Sequence, residues 1–146
     1  MPEWSKAVPE QENNETILES LNAILKDQMT CAVQYMQFHF RVLLQNDQVP
    51  GGIFKSLAVS EMKAIEAIAT RVILLGGYPP KQLDSYGVPE NDRDMLHEAI
   101  KNEEQIIKAI KKIFKASEGV DPESRVVLEH LLHEKESRLQ ELNELL

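Results

Sequence analysis

One cysteine, Cys31, is all the chain has, so no internal disulfide can form, and a reducing, cytoplasmic setting is the expectation. Basic residues are also short: 16 Lys and Arg stand against 24 Asp and Glu, a net charge of −8. Nucleic acid is not an expected partner, because phosphate binding relies on clustered Lys and Arg. No apolar run approaches the ~18 residues that a membrane-crossing helix needs. The polar stretch from Met1 to Asn14 lacks the apolar core of a signal peptide. There is no nucleophile elbow, no glycine-rich phosphate loop, no Cys/His cluster, no internal repeat and no strand signal.

What is present is helical periodicity. With 146 residues, 42% hydrophobic and 27% charged, the chain is long enough for one domain with a real core. Residues 1–14 read as a polar N-terminal arm, with Pro2 and Pro9 against regular structure and Trp4 able to dock it. A first helix is expected from Asn14–Thr16, both capping types, to about Gln45. Ile17, Leu21, Ile24, Gln28, Cys31, Ala32, Tyr35, Phe38 and Val42 form its stripe. A break at 46–52, containing Pro50-Gly51-Gly52, precedes a second helix from Ile53 to Leu75, stopped by Gly76-Gly77. The stretch 78–91, with Pro79, Pro80 and Pro89, admits no helix. A third helix then runs from Asn91 or Asp92 until Gly119, and a fourth opens on Asp121-Pro122-Glu123, an N-cap followed by proline at the first helical position.

Loop lengths give the topology. The short breaks predict two antiparallel hairpins. The middle connection of about 15 residues reaches ~50 Å when extended, against ~38 Å for a helix of about 25 residues. The expected fold is therefore all-α: residues 15–146 form an antiparallel four-helix bundle with a long crossover between helices two and three, the ferritin-like arrangement.

Each helix carries polar residues on its core stripe: Gln28, Glu61, Glu103, and Lys135 with Arg138. An isolated buried charge is costly. Glu61 must therefore be protonated, paired or metal-bound. Four helices contributing at similar depth predict a shared interior polar layer.

A second set of apolar residues lies about 100° away: Met29, Val33, Met36 and Phe40 on helix one, Val59, Met62, Ala69 and Ile73 on helix two. Exposed patches of this kind mark interfaces, which predicts a two-fold homodimer through these helices.

Leu21-Asn22-Ala23-Ile24-Leu25 with Gln34-Tyr35, then Glu61-Met62-Lys63, then Leu74-Leu75-Gly76-Gly77-Tyr78-Pro79 resemble the bacterioferritins in order and spacing, over about residues 17–146. The resemblance implies a bundle protein of iron homeostasis, with di-iron ligands falling on Gln28, Glu61, Ala64, Glu103, Lys135 and Arg138. Where the family has Glu, His, Glu and His, this chain has Gln28, Ala64, Lys135 and Arg138. Only Glu61 and Glu103 remain as metal-ligand types. The expectation is that they pair with Lys135 and Arg138 instead, with no ferroxidase activity and no iron at this site, and that Tyr35 hydrogen-bonds into the layer. The alternative is an active iron-binding or iron-storage protein with an altered centre.

The resemblance further implies haem b at the dimer interface with Met62 as axial ligand. The other reading of Met62 is ordinary interface packing. Family members carry a short fifth helix that lines the pores of a large cage. The sequence stops with helix four, so a dimer, a smaller shell or a hetero-oligomer with a homologue is expected. Cys31 reads as a buried, inert thiol. His130, His133 and Glu134 share an outer face of helix four, where solvated charges are expected rather than a zinc site.

Overall fold

The computed structural model describes residues 8–45, 49–50, 52–116 and 120–146. Among these residues four helices form: α1 Val8–Val42, α2 Ile53–Leu74, α3 Asp92–Ala116 and α4 Pro122–Glu144. Helix α1 opens at Val8, earlier than the sequence suggests. Pro9 falls in its first turn, where a helix has no use for the missing N–H. The expected arm therefore contributes residues 8–14 to the helix. Residues 1–7, Trp4 among them, lie outside the described residues.

The stripe predicted for α1 from periodicity is the buried one. Every residue of the α1 stripe is buried, from Ile17 to Val42, with Tyr35 and Phe38 fully enclosed. On α2, Phe54, Leu57, Ala58, Ile68 and Val72 are buried, while Ile65 and Leu75 are half-buried. Phe54 meets Phe38 edge to face at 5.4 Å. Helix α3 buries a wide arc, Met95, Leu96, Ala99, Ile100, Ile106, Ile107, Ile110 and Ile113, because it packs against both α1 and α4.

The crossover climbs along α1. It leaves α2 through a Schellman turn: Gly76 has φ 93°, Gly76 N–H donates to Ile73 O, and Gly77 N–H donates to Val72 O, both at 3.0 Å. Asp84 N–H then donates to Thr30 Oγ1 at 3.1 Å, Gln34 Nε2 to Gly87 O at 2.9 Å, and Gln45 Nε2 to Glu90 O at 2.7 Å. The chain thus returns to the end of the bundle where α2 began before α3 starts, so α2 and α3 run parallel. This is the one-crossover topology predicted from loop length.

The far end is fastened by Asp121. Its Oδ2 accepts from Ser124 N–H at 3.0 Å, capping α4, and from Arg71 Nη2 of α2 at 2.9 Å. Burial pushes the Asp121 carboxyl up, but the Ser124 hydrogen bonds and Arg71 outweigh it and hold the group below its usual range. Asp121→Ala removes the cap and the nearer of the two carboxylates beside Arg71, leaving Glu123 at 4.0 Å. It is expected to cost about 1–2 kcal/mol of stability in urea or thermal unfolding; a variant unfolding at the wild-type midpoint contradicts the assignment.

Candidate functional site

The polar residues on the four stripes meet at the bundle centre. Glu61 of α2 and Glu103 of α3 are each 1% exposed, and Lys135 of α4 is 6% exposed. Lys135 Nζ donates to Glu61 Oε2 and stands 2.8 Å from Glu103 Oε2, so one ammonium bridges two carboxylates from different helices. Tyr35 of α1 is fully buried, and its hydroxyl approaches Glu103 Oε1 at 3.4 Å and Ala99 O at 3.5 Å. Gln28 is also fully buried beside Glu61. Its amide favours the charged carboxylate, yet neither amide atom makes a well-formed hydrogen bond, and neither does Glu61 Oε1.

Arg138 corrects the expectation. It does not reach the layer; its Nη1 donates to Glu141 Oε2 at 3.2 Å, on the half-exposed side of α4. The layer therefore holds two carboxylates against one ammonium, an excess of one negative charge when all are ionised. The groups respond accordingly. Burial pushes the Glu61 carboxyl up to about 7; Lys135 opposes this and Glu103 adds to it. Burial would lower the Lys135 ammonium, but Glu61 and Glu103 outweigh it and hold the group above its ordinary value.

Cys31 borders this layer at 6% exposed. Burial, then Glu61 and Glu103, push its thiol well up, so it stays protonated and unreactive near neutral pH. Tyr35 is shifted up for the same reasons, burial first and Glu103 next. Ala64 lies on the buried face of α2 with no donor to offer. On the outer face of α4, His130 Nε2 pairs with Glu134 Oε1 at 3.1 Å, and both side chains are largely exposed. Among the described residues, no three His, Cys, Asp or Glu side chains converge as a metal-binding set.

Sequence reading missed an extension of the layer. Asn102 Nδ2 donates to Gln34 Oε1 at 2.8 Å, and Gln34 in turn holds the crossover at Gly87. Asn102 also touches Tyr35. The crossover is thereby held through Gln34 to Asn102, which sits beside Tyr35 at the edge of the ion cluster. The signal available was a pair of amides beside two stripe residues, Gln34 next to Tyr35 and Asn102 next to Glu103.

The second apolar face is where it was expected. Met36, Phe40, Val59, Met62 and Ile73 are all more than two-fifths exposed, Met62 at 59%. Met29 and Ala69 instead lean partly on the core. No helix among the described residues is long and apolar enough to cross a membrane.

The fold is similar to that of the Desulfovibrio desulfuricans bacterioferritin, a structure of its di-iron site in different catalytic states. The TM-score is 0.83 at 21% identity, over 92% of this chain and 80% of that one. It is also similar to the Rhodobacter capsulatus bacterioferritin, which has a metal-free dinuclear site and a haem iron in a crystallographic special position. Here the TM-score is 0.74 at 22% identity, over 89% of this chain and 82% of that one. At such identities the likeness speaks for the fold alone. No curated protein matches the sequence. The sequence pattern of the ferritin-like domain fits residues 18–146, nearly the whole bundle, and the chain belongs to that family.

Proposed function

We propose that this chain is a bacterioferritin-type subunit of iron homeostasis that has lost ferroxidase activity at its bundle centre. It acts in the cytoplasm as a dimeric haem-binding or structural partner. The carrying observation is Lys135 Nζ lodged between Glu61 and Glu103.

The donor set does not fit a di-iron centre. Two carboxylates and one amide remain, Ala64 offers nothing, Arg138 is engaged by Glu141, and the ammonium repels any cation brought beside it.

The exposed face of α1 and α2 fits a haem better. Met62 presents a thioether among Met36, Phe40 and Val59, an apolar setting with one soft donor. Pairing two copies across this face covers the patch and supplies a Met from each. Met62 holds the iron in this reading, and the group when bound supplies one-electron redox chemistry.

Anaerobic ferrous titration followed by air tests the first half: no stoichiometric uptake at the centre and no fast oxidation are expected. Two irons per chain with rapid oxidation would instead favour an active iron-storage protein with an altered centre. For the second half, protein made with a haem supply should give a pyridine haemochrome spectrum and a dimer mass by light scattering. Met62→Leu should lose the spectrum. A haem signal unchanged in Met62→Leu rules that ligand out.

A further inference from the structure

We propose that the groove between α2 and α4 binds a small amphipathic carboxylic acid, with its alkyl chain lying between the helices and its carboxylate at Lys63.

The two helices are tied together at two levels. Lys135 of α4 contacts Glu61 of α2, and Arg71 of α2 binds Asp121 and Ser124 at the start of α4. From Glu61 to Arg71 the helix rises ~15 Å. Between the ties α2 presents Ala64 and Ala67, short side chains that leave a groove of about 440 Å³. That volume is within the range of small-molecule pockets, which are mostly apolar with a few polar groups at fixed places. Ala64, Ile68 and Leu131 line the groove and are buried, so they form its floor. Ala67, Val126 and Val127 line its sides. Val126 is 64% exposed, apolar surface that an alkyl chain covers.

The border decides the head group. Lys63, His130 and Glu134 stand there. His130 Nε2 meets Glu134 Oε1 at 3.1 Å, so the two α4 groups engage each other. Lys63 has no ion-pair partner among the described residues. An apolar trough with such a cation at its edge is complementary to an alkyl chain ending in a carboxylate. The net charge of −8 repels anions at long range, but charges beyond ~8–10 Å are screened at ordinary ionic strength, and Lys63 is the local one. The groove is distinct from the exposed face of α1 and α2, because Ala64 and Met62 lie about 160° apart around the helix.

Isothermal titration with decanoate tests the site. Wild type is expected to bind one decanoate per chain, and decanol about fivefold more weakly, the size of an exposed ion pair. Lys63→Glu should remove the preference for the acid, and Lys63→Arg should keep it. Ala67→Phe fills the groove and should abolish binding of both ligands, with circular dichroism to show that the helices persist. Val126→Glu, a change at an exposed position, should also abolish decanoate binding and does not depend on how Ala67→Phe folds. No decanoate binding by the wild type overturns the site. Binding that survives Val126→Glu and a folded Ala67→Phe belongs to the α1–α2 face and overturns it too. Tighter binding of decylamine than of decanoate overturns the assignment of a carboxylate.

Discussion

Lys135→Met is expected to destabilise the bundle by about 3–5 kcal/mol, the cost of removing one partner from a buried ion cluster. Among the described residues Lys135 is the one cation within the layer, since Arg138 turns to Glu141. Without it, Glu61 and Glu103 are two enclosed carboxylates facing each other, and at least one must take up a proton for the chain to stay folded. Urea unfolding at pH 8 measures the effect. The loss should shrink at pH 5, where protons are available to replace the ammonium. A compensated variant separates lost charge from lost packing. Lys135→Met with Glu61→Leu and Glu103→Gln removes every charge and keeps an acceptor near the Tyr35 hydroxyl, so it should recover most of the loss. A single variant within about 0.5 kcal/mol of wild type contradicts the structure, because surface changes have that size and buried ion pairs do not.

The second large effect is on pH dependence. Glu61 has a folded value of about 7 against a model value of 4.5. Between these values the folded chain binds more protons than the unfolded chain, so stability falls as pH rises through the window. The displacement corresponds to something on the order of 3 kcal/mol, complete near pH 7 and absent below about 4.5. Asp27 adds to the same trend, raised first by burial and then by Asp84. Asp121 has the opposite sign but acts lower: its depressed value stabilises the fold above its model value of 3.8 and is lost only as pH falls through the folded value. Lys135, raised above 10.5, contributes fully below that value and is lost at more alkaline pH. The expected profile is a chain more stable at pH 5 than at pH 8, unlike one dominated by surface carboxylate salt bridges. Glu61→Gln should flatten it between 5 and 8. A Tm that rises over that range in wild type contradicts the assignment.

Most of the fold was legible because helical periodicity and loop length are local properties. The α1 stripe from Ile17 to Val42 is buried residue for residue, since the longer of the helix's two apolar stripes is the one that lies on the core. The crossover was legible from its prolines and its length. The start of α1 was not: Pro9 reads as a breaker until it is known to sit in a first turn.

At the centre, the sequence by itself determined which residues enter the layer. A charged side chain on an apolar stripe is placed there by the burial of its neighbours, and Gln28, Glu61, Glu103 and Lys135 all are. Tertiary structure alone decided which cation reaches the carboxylates. Lys135 and Arg138 are three residues apart and so roughly 60° apart around α4. The stripe can accommodate either, but in the packed bundle Lys135 meets Glu61 and Glu103 while Arg138 lies beside Glu141. Because Lys135 is the one cation to arrive among the described residues, desolvation outweighs pairing at Glu61 and pushes its carboxyl up. That outcome depends on distances between helices, which no spacing along a single chain contains.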